Sequence, residues 1–429
     1  MLSPYELYPF VLLWMQALEV TPSSAAMTAL THLVVALLSG QSLRPAALMR
    51  ALLSPKPVPA RQRYKRLARF WERPWLTPAW LTPRLVPAVL ALVPPDGWGP
   101  TAGLSHVVLD SVRCGPWEVF TLGVVWHGRV MPVSWAVLPY PWPKGQFTPT
   151  VCALLRQVAA VWPDGRPAHL VADRGFPSQK LFRTLRAVHW GWTVRLRAPM
   201  HVQADGQDLE VRALLARARA TGWTVWRGAY GWGSAGIPAT LVVGRGLAVW
   251  PPHQRTAGSQ RQRVQRQAER QRVKAYRYAS VTQTDAWMVL CTTHARWPAA
   301  LDSYRRRWAT EGSYRDAQSG WDGQHGWDLE PVLRQAHRAG HVERVVGLWA
   351  LGTVLQTWLG AQVAQGPAAM QAVAAQWTTT GRLSVWGQGQ CALREPLLHA
   401  WVGQTLQAGA TQVATAAAVV AVPPLAQAA

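Results

Sequence analysis

The stretches “SHVVLD” (105–110), “WEVFTLGVVWHG” (117–128) and “RVMPVSWAVLP” (129–139) decide the fold. Each run is rich in β-branched and aromatic residues, and short polar or glycine-containing segments at 113–116 and 127–129 separate them. Such runs, joined by short turns, are typical of consecutive antiparallel strands. The sequence therefore predicts a three-stranded meander over residues 105–139.

The chain that follows the meander alternates between helical and extended patterns. “TPTVCALLRQVAAVWP” (148–163) has apolar residues at helical spacing, “AHLVADRGF” (168–176) has the pattern of a short buried strand, and “SQKLFRTLRAVHWGW” (178–192) is again helical. The order strand, strand, strand, helix, strand, helix is the order of a ribonuclease H-like fold, although other α/β domains share it.

The N-terminal region, residues 1–95, is predicted to be helical. “AAMTALTHLVVALLSG” (25–40) is expected to end at Gly40 as a C-cap, and “RQRYKRLARFWERP” (61–74) forms a basic helix that ends before Pro74. This second helix suits DNA phosphates, or it is a solvated basic helix that packs Leu67 and Phe70 inward. The proline-rich “LVPAVLALVPPDGWGP” (85–100) has the composition of a linker.

The remaining chain divides into three further segments. Residues 105–195 and 298–365 are predicted to form the two parts of the α/β core, and residues 196–297 a β-rich insertion with a basic arm at 255–277. Within the second part, “VVGLWALGTVLQTWLGAQVA” (345–364) favours a buried helix over a membrane span. Residues 366–429 are expected to be helical and then to end in a poorly ordered, alanine-rich tail, “AGATQVATAAAVVAVPPLAQAA” (408–429).

Charge and cysteine content narrow the class of partner. The chain has 44 Lys and Arg against 21 Asp and Glu, a formal net charge of +23, which indicates a polyanionic partner, with nucleic acid first. Four cysteines lie far apart without a metal-binding spacing, so neither a zinc site nor a disulfide framework is expected. We expect a cytoplasmic, nucleoid-associated protein without a membrane partner.

Two aspartates follow apolar runs of predicted strands. Asp110 closes “HVVLD” and Asp173 closes “LVAD”. Carboxylates at neighbouring strand ends repel each other unless a cation joins them, and Mg²⁺ prefers ligands that are all oxygen. An aspartate at one strand end is more often a turn or capping residue, so the pair alone does not establish a catalytic site.

A third carboxylate comes from “DSYRRRWATEGSYRDAQ” (302–318), which is predicted to be one helix. At about 100° per residue, four of its polar side chains lie within about 60° of one another, on one face. These are Tyr304, Arg307, Glu311 and Gln318. Such a face predicts that Glu311 belongs to a site and is more than a surface ion-pair partner.

The spacing Y-x2-R-x3-E-x6-Q, with “LD” at 109–110 and “DRGF” at 173–176, resembles the DDE transposases of bacterial insertion sequences. The subgroup is the insertion-sequence-4-like one with a Y-R-E-K signature, and the resemblance covers roughly residues 105–320. It implies a ribonuclease H-like catalytic core, and the long interval between Asp173 and Glu311 agrees with a β-rich insertion domain at that point.

The resemblance also implies roles for individual residues. Asp110, Asp173 and Glu311 match the catalytic carboxylates, which would bind two Mg²⁺ ions, with Mn²⁺ as a substitute. Tyr304 and Arg307 match positions that contact DNA phosphate, and Gln318 departs from the lysine of the signature. Two further arginines could contact DNA. They are Arg174 and Arg315, and Arg315 could take the role of the signature lysine.

The function expected from the resemblance is cut-and-paste transposition by a dimer that binds terminal inverted repeats and target DNA. Two alternatives stay open: a decayed or domesticated transposase that only binds DNA, and a ribonuclease H-like nuclease without strand transfer. Several tryptophans of the insertion are candidates for stacking on a flipped base, although each is individually more typical of a core. They are Trp223, Trp226, Trp232, Trp250 and Trp287.

Overall fold

The structure, a computed structural model, describes residues 3–19, 23–52, 58–97, 99–218, 224–231, 235–245, 287–317, 327–375, 384–395 and 398–419. The chain is mixed α/β and divides into two compact units, each assembled from segments that are distant in sequence. Unit 1 comprises Met1–Val171, Thr184–Trp190 and Arg305–Ala429, and unit 2 comprises Ala172–Arg183 and Gly191–Tyr304. The basic arm predicted at 255–277 lies outside the described residues, as do Trp223, Trp232 and Trp250.

Helices occupy the start of unit 1. They are α1 (Pro4–Ala17), α2 (Ser24–Gly40), α3 (Pro45–Ala51), α4 (Ala60–Trp71) and α5 (Pro78–Leu92), with a 3₁₀ turn at Pro74–Leu76. Ser3 and Ser23 cap α1 and α2 by accepting hydrogen bonds from backbone N–H groups of the first turn. The predicted basic helix is confirmed as α4, and Leu67 and Phe70 are buried.

Two sequence predictions in this region are wrong. Residues 85–92 of the expected linker belong to α5, because its apolar side chains pack against the sheet despite Pro83 and Pro87 inside the helix. Gly40 is the last residue of α2, whereas the C-cap is Gln41, in the left-handed region at φ 48°. The Gln41 side chain accepts a hydrogen bond from Trp327 Nε1 at 2.8 Å, which helps to hold this unusual conformation.

The predicted meander is confirmed as β1 (Ser105–Cys114), β2 (Trp117–Trp126) and β3 (Arg129–Pro139). All three strands pair in antiparallel register, with Asp110 opposite Thr121. A register shift at Leu122/Gly123 marks a bulge, where a Cβ on Gly123 would meet Val130 Cγ1 at 2.2 Å. With β4 (Ala168–Ala172), the strand order in unit 1 is β3-β2-β1-β4.

Further helices complete unit 1. Helix α6 (Phe147–Ala159) follows β3. Six described helices follow residue 305, and the last of them ends the described chain. They are α10 (Trp308–Ala317), α11 (Leu329–Arg334), α12 (Ala339–Gln365), α13 (Ala368–Ala375), α14 (Val385–Arg394) and α15 (His399–Val419). Helix α12 is buried along most of its length, as predicted. No single helix of the described chain is long and apolar enough to cross a membrane.

The expected disordered C-terminal tail is wrong as far as Val419. Helix α15 extends through most of the alanine-rich segment, because alanine is the strongest helix former and one face of this helix is buried. Val413 is buried, and Gln412 Nε2 donates to the carbonyl of Ala91 at 2.6 Å. The last ten residues lie outside the described chain.

The described part of unit 2 is mostly β-structure. Its strands are β5 (Gly191–Arg195), β6 (His201–Ala204), β7 (Gln207–Glu210), β8 (Thr224–Tyr230), β9 (Ile237–Arg245) and β10 (Trp287–Thr292), in the order β5-β10-β9-β8-β6-β7. Helix α8 (Val211–Ala218) was not foreseen in this segment. Helix α7 (Gln179–Ala187) begins in this unit, and all but the last residue of helix α9 (Trp297–Arg305) belongs to it.

Candidate active site

Asp110 lies in the middle of β1, and not at the end of a strand as the sequence indicated. The strand continues to Cys114 because the polar residues after Asp110 keep their pairing with β2. Both carboxylate oxygens accept hydrogen bonds from unit 1. The Ser111 N–H donates to Oδ1 at 2.8 Å, and Thr310 Oγ1 donates to Oδ2 at 2.8 Å.

Glu311 lies in the first turn of α10 and pairs with Arg307. Arg307 Nη2 donates to Glu311 Oε1 at 2.8 Å, and Arg307 Nη1 lies 3.9 Å from Asp110 Oδ2. Only 8% of Arg307 is exposed, whereas 45% of the Glu311 side chain is exposed. One guanidinium therefore lies near two of the predicted carboxylates, within a single unit.

Asp173 and Tyr304 belong to unit 2 and contact each other. Asp173 directly follows β4, as predicted, and Tyr304 Oη donates to its Oδ1 at 3.1 Å. Tyr304 is 1% exposed, so in this structure its hydroxyl is directed to a carboxylate inside the protein. Arg174, in the following turn, is half-buried.

The continuous helix predicted over 302–318 is wrong, because the chain breaks at Arg306 and Arg307 between α9 and α10. The Arg307 carbonyl accepts from the Thr310 N–H at 3.0 Å, and this i to i+3 hydrogen bond tightens the chain into a turn. Thr310 Oγ1 also lies 2.7 Å from the same carbonyl oxygen. Arg307 and Glu311 contact each other, whereas Tyr304 bonds to Asp173. Arg315 lies in α10, and Gln318 lies outside the described residues.

The sequence did not indicate a partly buried ion cluster next to this turn. Arg306 Nη2 and His106 Nδ1 both lie 3.0 Å from Asp96 Oδ2, and Thr101 Oγ1 donates to the same oxygen. Burial alone would raise the pKa of Asp96, but the His106 contact, the Arg306 charge and the Thr101 hydrogen bond lower it. This cluster holds Arg306 beside Arg307.

Glu118 is a second acid that the sequence did not single out. It lies on β2, is 8% exposed, and accepts a hydrogen bond from Ser111 Oγ at 2.7 Å. Burial raises its pKa, and the negative charge of Asp110 raises it further, against the opposing effects of Ser111 and Arg113. The feature that could have indicated Glu118 from the sequence is its position opposite Arg113 in the β1–β2 hairpin.

A basic groove lies between α2 and α4, well away in sequence from the carboxylates. Its cavity of about 410 Å³ is lined by apolar side chains such as Leu33 and Phe70. Four arginines also line it: Arg63, Arg66, Arg69 and Arg73. Helix α4 itself contains no acidic residue, so its cations have no i,i+4 carboxylate partner within the helix.

Residues 144–325 match the family model described as Transposase DDE domain. This segment is similar to DDE transposases. The match supports a DDE transposase, which is a DNA-acting enzyme, although it covers less than half of the chain. It includes Asp173, Tyr304, Arg307 and Glu311, and it begins after β3, so Asp110 precedes it. No curated protein matches the chain.

A divalent metal is usual in DDE transposases. Within the described part of the chain, no group of three or more His, Cys, Asp or Glu side chains is arranged to hold a metal ion. The donor chemistry nevertheless fits Mg²⁺, because Asp110 and Glu311 are carboxylates that approach one positive charge, that of Arg307.

Proposed function

We propose that this protein is an insertion-sequence transposase of the Y-R-E-K subgroup that cleaves the ends of its element and joins them to target DNA by cut-and-paste. Its ribonuclease H-like core would comprise residues 105–195 and 298–365, interrupted by the β-rich insertion 196–297. The observation that carries the proposal is the approach of Asp110 and Glu311 to Arg307, in a chain whose residues 144–325 match a transposase DDE domain.

Asp110, Asp173 and Glu311 would be the carboxylates that hold two Mg²⁺ ions, with Mn²⁺ as a substitute. Bound ions would activate a water or a DNA 3′-hydroxyl and stabilise the leaving oxygen during in-line attack on a phosphodiester. The protein supplies the rest of the site. Ser111 N–H orients the Asp110 carboxylate, and Tyr304 orients that of Asp173.

Arg307 would supply positive charge for the phosphate that reacts. Its guanidinium already lies among acidic groups, and an arginine can bind two oxygens of a phosphate at once. The other proposed DNA contacts are Arg174, Arg315, Gln318 and, once its hydroxyl leaves Asp173, Tyr304. A homodimer would bring two inverted repeats together.

The arginines of α4 would bind DNA outside the catalytic core. Arg61, Arg66 and Arg69 are exposed, and the groove beside them offers positive charge without an acidic residue on the same helix. Contacts of this kind give affinity for the phosphate backbone and little sequence preference. We propose that this surface holds the element ends.

Cleavage and joining of labelled DNA from both flanks of the gene test the proposed function. With Mg²⁺ or Mn²⁺, the wild-type protein should cut these ends and join them to a target plasmid. Asp110→Asn and Glu311→Gln should lower the cleavage rate by more than about 100-fold, because loss of even an outer partner of a metal ligand costs 10- to 100-fold.

Glu210→Gln is the matched control, since it neutralises an acid in an exposed ion pair with Arg212. It should cleave as the wild type does. Full cleavage by Asp110→Asn or Glu311→Gln would contradict the proposal. Binding of ends without any product would instead indicate a protein that only binds DNA, and cleavage without joining would indicate a nuclease.

A further inference from the structure

Helix α10 contacts strands β1, β2 and β3 through polar side chains on one face. Ser313 Oγ accepts from the Val130 N–H at 2.8 Å, and Tyr314 Oη lies 2.6 Å from Thr121 Oγ1. Asp316 Oδ2 accepts from Arg129 Nε at 2.5 Å. These contacts fix the helix that carries Glu311 against the meander that carries Asp110.

Thr310 lies on this face and contacts Asp110, one of the proposed catalytic carboxylates. Its Oγ1 lies 2.8 Å from Asp110 Oδ2 and 2.7 Å from the Arg307 carbonyl, and the residue is 2% exposed. A hydroxyl carries one proton, so it donates to one of these oxygens at a time. Hydrogen bonds to an ionised acceptor are the stronger ones, which favours Asp110.

The sequence position of Thr310 gives this contact its importance. Thr310 immediately precedes Glu311, so one turn of α10 carries both the proposed metal ligand and the hydroxyl that holds the other carboxylate. Ser111 N–H already fixes Asp110 Oδ1, and Thr310 fixes Oδ2. Together they set the plane of the carboxylate relative to the helix of Glu311.

We propose that Thr310 is a positioning residue that orients Asp110 for metal binding by hydrogen-bonding its Oδ2. The side chain is 2% exposed and would not itself contact DNA or the reacting atoms. It acts through Asp110, and the inference therefore rests on the proposed metal-binding role of that residue. Partners that orient metal ligands usually affect metal affinity as well as rate.

Mn²⁺ binding, followed by electron paramagnetic resonance, tests Thr310 without requiring catalysis. Thr310→Val keeps the shape of the side chain and removes the hydroxyl, and it should weaken Mn²⁺ binding by about 10-fold or more. Thr310→Ser retains the hydroxyl and should restore affinity to within a few-fold of the wild type. Thr310→Ala also removes the hydroxyl, and its smaller side chain fits the same space. It should behave as Thr310→Val does.

Tyr314→Phe separates orientation of Asp110 from docking of the helix. It removes a hydrogen bond between the same helix and the meander but leaves the Asp110 contact in place. It should lower the melting temperature and leave Mn²⁺ affinity unchanged. Equal losses of affinity in Tyr314→Phe and Thr310→Val would overturn the inference, as would wild-type affinity in both Thr310→Val and Thr310→Ala.

Failure of the inference is distinct from failure of the proposed function. Undiminished Mn²⁺ binding after removal of the Thr310 hydroxyl would overturn only the role of Thr310. Absence of Mn²⁺ binding by the wild-type chain, with or without flanking DNA, would overturn both.

Discussion

The surroundings of Arg307 differ from those of a surface ion pair. Its guanidinium lies 2.8 Å from Glu311, 3.9 Å from Asp110 and 4.9 Å from the ring centre of Trp308, and only 8% of the residue is exposed. Removing a charge from water is costly unless it is paired, so this cation depends on the carboxylates and they on it. A divalent cation that binds there would take over the partners of Arg307.

Glu118→Gln should stabilise the protein increasingly as the pH rises. Burial and Asp110 raise the pKa of Glu118 above its ordinary value of 4.5. The folded state therefore holds this proton to higher pH than the unfolded state does, and the free energy of unfolding falls as pH rises through that interval. Glutamine keeps the oxygen that accepts from Ser111 Oγ and carries no charge.

Urea unfolding of the wild type and of Glu118→Gln, below pH 4.5 and at neutral pH, measures this effect. The variant should gain stability relative to the wild type between the two conditions. Glu330→Gln, at an ion pair with Arg334 on α11, is the control substitution. A difference between Glu118→Gln and the wild type that does not change with pH would contradict the assignment.

Local sequence patterns predicted those helices and strands that local interactions determine. Strands β1–β3 were predictable because alternating β-branched residues and short turns specify a meander without help from distant residues. The break between α9 and α10 was not predicted, and residues at the break bond to Asp96 and Asp110, which are about 200 residues away from Arg306 and Thr310. Contacts of that range leave no signal in helical periodicity.

Gly389→Ala should disrupt the packing of α14 on α12. A Cβ at this position would lie 2.0 Å from the carbonyl oxygen of Gln356, which is backbone and cannot move aside cheaply. The helices would have to separate, at a cost of about 1–3 kcal/mol typical of overpacked cores. Thermal and urea unfolding should both show the loss.

Gly340→Ala is the control for the same chemical change. Its Cβ would meet only the Arg344 guanidinium, at 3.1 Å, and this is the flexible end of a side chain. Alanine favours a helix over glycine by about 1 kcal/mol, so this variant should be neutral or stabilising. Equal destabilisation by both substitutions would indicate that contact with Gln356 is not the cause.

The boundary between the two units passes through the motif that indicated the function. Tyr304 ends unit 2 and Arg305 begins the last segment of unit 1, so the signature tyrosine and arginine belong to different units. The sequence predicted the residue types and the spacing of the candidate site. It could not predict this division, since both units are assembled from segments far apart in the chain.

The net charge of +23 is a property of the whole chain. Helix α4 contributes basic residues to it and contains no acidic residue. Arg66→Ala and Arg69→Ala, combined, should weaken binding of flanking DNA at low salt. Each lost phosphate contact lowers the slope of log affinity against log salt by about 0.9, so the slope should fall by about 2. Fluorescence anisotropy over a salt series measures both quantities.

Arg334→Ala and Arg212→Ala, combined, are the matched control for this charge change, because each arginine is exposed but paired with a glutamate. Together they remove two cations from the protein without removing one from the groove between α2 and α4. If binding depended only on total charge, two such substitutions at paired arginines would reduce the slope as much as the α4 pair. We expect them to leave it unchanged, because a cation already neutralised by a carboxylate releases few counterions from DNA.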